Sequence, residues 1–353
     1  YLITGAAGFI GSNFVRELMA GSYDSLGHEC TQVTVFDKLT YAGNQANLAS
    51  IADDPRYTFV HGDICDGDLL DQVLPGHDVV INFAAETHVD RSIHGPQDFI
   101  VTNVVGTQTL LDACLRHQIS RTVHIGTDEV YGSIDVGSWT EDEPLLPNSP
   151  YSAAKAAAEM LVRAYNVTYG LNVSSTRCSN NYGPWQFPEK LIPVVTLKAA
   201  GGESIPLYGD GLNVRDWLYV EDHVDALLLA ACNGASGRSY CVGGHGERTN
   251  KEVVHAICQQ LDQSRPAFAP HTDLITPVTD RPGHDRRYAI DPGRISSELG
   301  WSPRHNVEQG LAETVHWYLT HQEWCSKVRE RAGYDGSRLG IETVKHQGTT
   351  PDR

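Results

Sequence analysis

The first eleven residues, YLITGAAGFIG (residues 1–11), decide the fold of this chain. The apolar run at residues 1–4 predicts a buried strand, and glycines at positions 5, 8 and 11 lead into a helical pattern over about residues 9–20. Glycines at these places allow a tight strand-to-helix turn and let a diphosphate approach the backbone at the helix N-terminus. For these residues taken alone, an ordinary strand-to-helix turn is the alternative.

The alternation of strand and helix continues to about residue 180. Short runs rich in valine and isoleucine predict strands buried on both faces, and mixed segments at about 97–117 and 151–169 predict helices. We therefore predict an α/β fold, a Rossmann-type doubly wound parallel sheet, with residues 1–180 as its first domain. The predicted strands are 1–4, 32–36, 57–60, 79–83, 122–125 and 173–176.

After residue 180 the pattern loosens, because glycine-rich segments interrupt short apolar runs. Residues 181–339 are expected to form mainly a smaller C-terminal lobe that binds the substrate, with some strands and helices interleaved with the first domain. Helices are predicted near 250–262 and 306–320. Residues 340–353 are polar and lack aromatic side chains, which predicts a frayed tail.

The composition excludes several classes of protein. The 353 residues carry 27 Lys and Arg against 44 Asp and Glu, a net charge of −17. Because so acidic a surface repels phosphate backbones and anionic lipid, we expect neither nucleic-acid binding nor membrane binding. No apolar run approaches the roughly 18 residues of a membrane span, and residues 1–4 predict a strand rather than a signal peptide.

Cysteine and histidine spacing bears on metals and on location. The eight cysteines include no Cys-x-x-Cys pair, and the sixteen histidines show no spacing typical of metal ligands. This pattern predicts reduced, buried thiols, a cytoplasmic location and no metal site.

Two acidic residues close the second and third predicted strands. Asp37 can accept hydrogen bonds from the adenosine ribose hydroxyls, and its charge would repel a 2′-phosphate, which favours NAD over NADP. The neighbouring Lys38 weakens that preference. Asp63 has two interpretations: it contacts the adenine, or it caps the following helix.

The chain contains one Tyr-x-x-x-Lys pair, Tyr151 and Lys155. Ser149 and Pro150 before it are typical of a helix start, so the two side chains share one helix face. A cation beside a phenol stabilises phenolate, and we expect Lys155 to lower the pKa of Tyr151 toward the working range of a general base. A surface Tyr and Lys on an alanine-rich helix is the alternative.

The fifth predicted strand ends in Gly126-Thr127-Asp128-Glu129-Val130-Tyr131-Gly132. Two acids, Asp128 and Glu129, follow Thr127 directly. Successive strand residues point to opposite faces, so both acids can face one cleft only where the chain turns out of the strand. A solvated acidic loop is the alternative for these residues alone.

These motifs identify a resemblance. The Gly-x-x-Gly-x-x-Gly loop with Tyr-x-x-x-Lys resembles the short-chain dehydrogenase/reductase superfamily, and the added Thr-Asp-Glu resembles its dTDP-glucose 4,6-dehydratase family. The likeness extends to about residue 320. Glycine at 126, alanine at 153 and threonine at 87 replace commoner serines, and none of these departures removes a catalytic group. The further matching segments are 37–44, 84–92, 180–193, 209–222 and 281–285.

The resemblance implies a reaction. Bound NAD+ takes a hydride from C4 of the glucosyl ring, water leaves across C5–C6, and the hydride returns to C6, which gives a 4-keto-6-deoxy sugar. It implies that Asp128 is the acid and Glu129 the base of the elimination, and that Thr127, Tyr151 and Lys155 serve the C4 oxidation. The expected cofactor positions are Gly5, Gly8, Phe9, Ile10, Gly11, Asp37, Lys38, Thr40, Asp63, Ile64, Ala84, Ala85, Thr87, Thr102, Tyr151, Lys155 and Asn181.

The resemblance also implies a pocket for the nucleotide sugar dTDP-glucose. Arg215 and Arg281 could clamp its diphosphate, since guanidinium binds phosphate in a bidentate manner, or either could form an ordinary ion pair. The expected substrate positions are His88, Thr127, Asn180, Lys190, Leu191, Pro206, Tyr208, Arg215, Asn250, Arg281, His284 and Asp285.

Two other functions and an assembly follow from the same residues. An NAD-dependent nucleotide-sugar 4-epimerase or decarboxylase would share the glycine loop and the Tyr/Lys pair without needing two acids after Thr127. A non-catalytic NAD-binding sensor would have a broken Tyr/Lys pair. By family likeness, the helices near 97–117 and 151–169 are expected to form a homodimer interface.

Overall fold

A computed structural model describes residues 1–22, 24 and 29–334. Its centre is a sheet of seven parallel strands in the order β10-β6-β5-β4-β1-β2-β3. The predicted fold class is confirmed, and each of the six predicted strands is present. The seven strands are β1 (Leu2–Thr4), β2 (Val33–Asp37), β3 (Tyr57–His61), β4 (Val79–Asn82), β5 (Arg121–Thr127), β6 (Val173–Cys178) and β10 (Ser239–Val242).

Helices cover both faces of this sheet. No helix in the described part of the chain has the length and apolar character needed to cross a membrane. The α-helices are α1 (Phe9–Met19), α2 (Gly67–Val73), α3 (Val89–His94), α4 (Pro96–Phe99), α5 (Thr107–Arg116), α6 (Pro150–Tyr169), α7 (Leu191–Ala200), α8 (Val220–Asn233), α9 (Asn250–Ser264), α10 (Gly293–Leu299), α11 (Val307–Thr320) and α12 (Gln322–Arg331).

The strands are apolar on both faces because each face packs against its own helices. On one side, Phe14 of α1 and Leu227 of α8 join a buried apolar cluster with the strand residue Val35. On the other side, Leu110 of α5 and Val162 of α6 join a second buried apolar cluster with the strand residue Val80. Burial on both faces explains the unbroken Val/Ile content of the strands.

The sheet order reverses between β1 and β4, which places a crevice at the carboxyl ends of these strands. The loops after β1, β2, β4 and β5 all open into it. The glycine loop, Asp37 and the acid pair reach one site for this reason.

A second lobe lies beyond residue 180. It contains a three-stranded sheet, β11-β9-β7, and a parallel pair, β12-β8, with a buried apolar cluster that α7, α9 and α11 share. Residues 181–339 also give β10 and α8 to the first sheet, so the chain crosses between the lobes. The tail expected at 340–353 lies outside the described residues. The strands of this lobe are β7 (Asn180–Tyr182), β8 (Ile205–Tyr208), β9 (Val214–Tyr219), β11 (Glu247–Thr249) and β12 (Ile275–Val278).

The helix predicted over 97–117 is divided. Between α4 and α5 the chain makes π-helical turns at Ile100–Gly106. A Cβ on Gly106 would lie 2.7 Å from the Ile64 side chain, so glycine permits the close approach of this segment to the loop after β3. The segment brings Thr102 to the crevice.

Candidate active site

The glycine loop is built to approach an anion. Gly5 has a φ of +65°, and a Cβ there would lie 2.5 Å from the Ala84 backbone nitrogen. A Cβ on Gly11 would lie 2.7 Å from Ala6 Cα, so this glycine lets α1 pack closely against the loop that follows β1. Gly8 caps α1 without a side-chain hydrogen bond, and the first turn holds no acid. The helix N-terminus therefore presents free N–H groups and a positive dipole to a diphosphate.

Asp37 is buried at the end of β2, where it organises the crevice. Its carboxylate accepts hydrogen bonds from the backbone N–H groups of Ala7 (2.9 Å) and Leu39 (2.7 Å). Burial raises the pKa of Asp37 despite these two bonds. It therefore holds the glycine loop and the loop after β2 against each other.

Asp63 faces the crevice rather than capping a helix. Its carboxylate pairs with Lys38 (2.7 Å) and accepts a hydrogen bond from the Cys65 backbone (2.9 Å). Burial raises the pKa of Asp63, but the hydrogen bonds from Lys38 and Cys65 and the charge of Lys38 together outweigh it, and the net shift is downward. The N-cap of α2 is Asp66, which accepts a hydrogen bond from the Leu69 N–H, so the capping interpretation of Asp63 is wrong.

All seventeen expected cofactor positions line this crevice, and so do all five expected catalytic residues. The sequence analysis missed Tyr41, whose ring lies 3.8 Å from the Arg91 guanidinium, and the buried Glu189, which pairs with Arg91 (3.4 Å). These contacts join distant segments, and no local motif signals them. Other lining residues that it missed are Cys178, Ser179, Gln186 and Phe187.

Tyr151 and Lys155 lie buried on one face of α6. The helix begins as predicted, with Ser149 as N-cap accepting a hydrogen bond from the Ser152 N–H (3.1 Å) and Pro150 in the first turn. Lys155 Nζ donates to the Ile125 carbonyl (2.5 Å). Burial lowers the pKa of this lysine to about 8.

The prediction that Lys155 lowers the pKa of Tyr151 is wrong. Burial, and then the negative charge of Glu129, raise the pKa of the phenol well above its ordinary value, and a hydrogen bond from Thr127 opposes that rise. The ammonium is directed to the Ile125 carbonyl and does not compensate for the burial of the phenol.

The chain turns out of β5 at the acid pair. Asp128–Tyr131 forms a short 3-10 turn, and Thr127 accepts a hydrogen bond from the Glu129 N–H (3.3 Å) at its start. Gly132 ends it with a φ of +75°, where a Cβ would lie 2.5 Å from the Leu146 carbonyl oxygen. Because of this turn, both acids face the crevice, and the solvated-loop alternative does not apply.

The two carboxyls lie in different electrostatic environments. Burial, and then Glu129 and Asp216, raise the pKa of Asp128 well above its usual value. One of its oxygens, Oδ2, is buried without a hydrogen-bond partner among the described residues. Burial also raises the pKa of Glu129, but three cations oppose the rise there, namely Arg281, Arg215 and Lys190. The surroundings therefore make Asp128 the more readily protonated of the two acids.

The two arginines proposed as a clamp are held differently. Arg281 pairs with Asp90 (2.9 Å), and its Nε is buried without a partner in the described structure. Arg215 donates to the carbonyls of Val214 (2.7 Å) and Asp285 (2.9 Å), and no described carboxylate pairs with it. Both act electrostatically on Glu129, so both lie at the acid pair.

Of the remaining expected substrate residues, some line the crevice or lie close to it, and the others lie on the second lobe. Asn180 and Lys190 line the crevice, and His88 lies close to Lys190 with its pKa lowered to about 2 by burial and then by that cation. Burial lowers the pKa of His284 to about 4, and this ring bonds Asp280 (2.7 Å). The others lie on elements of the second lobe and are absent from the lining of the crevice: Leu191, Pro206, Tyr208 and Asn250. In the part of the chain that the structure describes, no cluster of three metal-ligating side chains occurs.

Comparison with known proteins now identifies the family. The family model described as GDP-mannose 4,6 dehydratase matches residues 2–314. The dTDP-glucose 4,6-dehydratase of Xanthomonas campestris is 51% identical over 354 residues, covering 96% of this chain and 98% of that protein. The chain belongs to the dTDP-glucose 4,6-dehydratase family.

Solved structures agree. The dTDP-glucose 4,6-dehydratase DesIV from Streptomyces venezuelae, solved with NAD and TYD bound, has a TM-score of 0.88 and 50% identity, with 93% of this chain and 99% of that chain covered. The dTDP-glucose 4,6-dehydratase of Bacillus anthracis in complex with NAD has a TM-score of 0.83 and 47% identity, with 93% and 98% covered. The Thr-Asp-Glu turn and the Tyr/Lys pair therefore occur together in a chain of this family.

Proposed function

We propose that this chain is an NAD-dependent hydro-lyase that converts dTDP-glucose into dTDP-4-keto-6-deoxy-glucose and water. The observation that carries the proposal is the pair Asp128 and Glu129, which the turn brings into one crevice with Tyr151, with the pKa of Asp128 raised well above its usual value and three cations opposing the rise at Glu129. An epimerase would need the tyrosine and the lysine but no such pair. The identity of about 50% to dTDP-glucose 4,6-dehydratases supports the same choice.

The residues of the first lobe fit NAD. The uncapped N-terminus of α1 and the glycine loop would hold the diphosphate, and Asp37 would meet the adenosine ribose. The carboxylate of Asp37 would repel a 2′-phosphate, and Lys38 beside it is neutralised by Asp63. When bound, NAD+ supplies the group that accepts a hydride from C4 and returns it to C6.

Tyr151, Thr127 and Lys155 serve the sugar C4 hydroxyl. Thr127 hydrogen-bonds Tyr151 and can bond the same hydroxyl, which aligns its proton with the phenol oxygen. Tyr151 would take that proton as the general base in its phenolate form, and the positive charge of bound NAD+ would favour phenolate against the burial that raises the pKa of the phenol. Lys155, fixed by the Ile125 carbonyl, orients this face of α6.

Asp128 and Glu129 perform the elimination. A ketone at C4 acidifies the C5 proton, and Glu129 removes it as a carboxylate, the form that the three nearby cations favour against the effect of burial. Asp128, kept protonated by burial and by its acidic neighbours, donates its proton to the departing C6 hydroxyl, which leaves as water.

The second lobe and the loop that carries His88 bind the nucleotide sugar. Arg215 is a buried cation in an acidic protein and Arg281 is a partly buried one. No described carboxylate forms an ion pair with Arg215, so its guanidinium can bind a diphosphate. Neutral His88 and the Asn180 amide, whose Oδ1 lacks a partner among the described side chains and backbone, offer hydrogen bonds to the sugar.

The test is incubation of the purified protein with dTDP-glucose and no added cofactor, followed by mass analysis. We expect loss of one water from the nucleotide sugar. Recovery of an unchanged mass together with a C4 epimer would overturn the proposal, and so would a strict need for an external reductant.

We propose that the protein forms a homodimer. Apolar side chains are exposed on two adjacent helical segments: Val101 and Val105 at 41% and 47% on the π-helical turns, and Met160 and Val167 at 47% and 68% on α6. Pairing them with a second copy would form a four-helix interface and cover this patch. Sedimentation equilibrium should give twice the chain mass, and Val105→Glu should shift it toward the monomer.

We also propose that the protein works in the cytoplasm. All eight cysteines are free thiols, and six of them are buried. Free thiols at this number are typical of a reducing compartment. Fractionation of the source cells tests this, with recovery from an oxidising compartment as the contrary result.

A further inference from the structure

A buried ion pair lies directly behind the acid turn. Arg177 of β6 donates its Nε to both carboxylate oxygens of Glu159, at 2.8 and 3.0 Å, and the two side chains are 5% and 3% exposed. Ser175 and Ser239 also donate to Glu159 (3.1 and 3.2 Å). The pair does not line the crevice, so it contacts neither cofactor nor sugar.

The arginine of this pair holds the last residue of the acid turn. Arg177 Nη1 hydrogen-bonds the Tyr131 hydroxyl and the Glu141 carbonyl (3.1 Å), and its guanidinium lies 4.8 Å from the Tyr131 ring centre. The Tyr131 ring also stacks against Trp139, with the two ring planes 18° apart. Tyr131 is 1% exposed, and its hydroxyl also contacts Cys241 Sγ (3.4 Å).

The glutamate of the pair belongs to the helix that carries the oxidation residues. Glu159 follows Lys155 by four positions on α6, so the two share a helix face. It also lies behind Gly126, where a Cβ would be 3.6 Å from its Oε2. One chain of contacts therefore runs from the helix of Tyr151 through Glu159 and Arg177 to the turn of Asp128 and Glu129.

We propose that Glu159 and Arg177 are positioning residues that set the acid turn Asp128–Tyr131 at a fixed distance from Tyr151 and Lys155. The proposal rests on the proposed function, because it assigns the pair to the elimination half of that reaction. Oxidation at C4 depends on α6 and Thr127, whereas removal of the C5 proton depends on where the turn places Glu129.

Stability alone does not account for such a pair. Two buried charges lose their hydration, and exchanging both for apolar side chains of similar volume is often neutral or stabilising. A misplacement of about 1 Å in a reacting group, by contrast, can cost about 100-fold in rate. The proposal therefore predicts a loss in one chemical step without a matching loss of stability.

Two variants test this. Tyr131→Phe removes only the hydroxyl that Arg177 holds, and Glu159→Leu with Arg177→Met replaces the whole pair by apolar groups. The control is Arg121→Met, which removes another buried arginine, at the opposite end of β5, where it bonds Asn172 and Ser174.

The readouts are single-turnover oxidation of dTDP-glucose at C4, deuterium uptake at C5 from heavy water, water loss, and thermal unfolding. We expect both variants to oxidise C4 within about threefold of the wild-type rate while C5 exchange and water loss fall by about 10- to 100-fold. The control should keep the wild-type ratio of exchange to oxidation, whatever its stability.

The positioning role would be overturned if Tyr131→Phe kept the wild-type ratio of C5 exchange to C4 oxidation, whether both rates fell equally or neither fell. This outcome can be measured even if the double variant fails to fold. Failure of the wild-type protein to dehydrate dTDP-glucose would instead contradict the proposed function, so the two failures are distinguishable.

Discussion

The buried ammonium of Lys155 gives a prediction whose size the structure sets. This side chain is 5% exposed, and burial lowers its pKa from 10.5 to about 8. The substitution Lys155→Met removes this ionisable group and with it the pH dependence that it contributes to stability. Because the folded state binds the proton more weakly than the unfolded chain does, burial of the charged form costs the wild-type protein stability below pH 8, and this cost disappears as the pH rises toward 10.5.

The lowered pKa corresponds to about 3 kcal/mol of cost at pH 7, at about 1.4 kcal/mol for each pH unit between the two values. At pH 10 less than about 1 kcal/mol remains. The free energy of unfolding of the wild type, minus that of Lys155→Met, should therefore rise by about 2 kcal/mol between pH 7 and pH 10. Taking this difference cancels the titration of other groups and the pH-independent loss of the bond to the Ile125 carbonyl.

Urea unfolding of the cofactor-stripped proteins at several pH values measures this difference. Lys198→Met is the matched control, since that lysine lies near the surface and pairs with Glu203 (3.2 Å). Its difference from the wild type should stay flat. A flat difference for Lys155→Met, or one that falls with pH, would refute the claim that burial lowers the pKa of Lys155 in the folded protein.

Three further predictions concern the chemistry. The protein should purify with close to one NAD per chain, measured after acid extraction, because hydride leaves and returns within one cycle; NADP in the extract would contradict the account. Tyr151→Phe should bind the nucleotide sugar in calorimetry with near wild-type affinity but oxidise C4 several orders of magnitude more slowly, and a comparable loss of binding would make Tyr151 structural. Glu129→Gln should still reduce the cofactor, seen by absorbance, without deuterium exchange at C5, whereas Asp128→Asn should keep some exchange and lose water expulsion; normal exchange in Glu129→Gln would remove the pair from the mechanism.

The parts of the site that depend on local spacing were predictable from the sequence. The glycine loop, Asp37 and the Tyr151/Lys155 pair each lie at the end of a strand or on one helix face, and a parallel sheet brings such ends together. The turn after Thr127 was predictable on the condition that both acids serve one site, because two adjacent acids can face one cleft only outside a strand.

Other features depend on contacts between distant segments. No spacing rule indicates that Arg177 on β6 meets Tyr131, or that Arg91 lies over Tyr41. The high pKa of the Tyr151 phenol also escaped prediction, since it comes from burial and from Glu129, and burial at a cleft cannot be inferred from a helical pattern.

The most direct test of the central claim, an internal hydride transfer followed by elimination, uses dTDP-glucose labelled with deuterium at C4 in ordinary water. The account predicts that the product has lost one water and carries the deuterium at C6, because the hydride removed from C4 returns within the same active site. Deuterium lost to the solvent, or retained at C4 of a nucleotide sugar with all its oxygens, would contradict it.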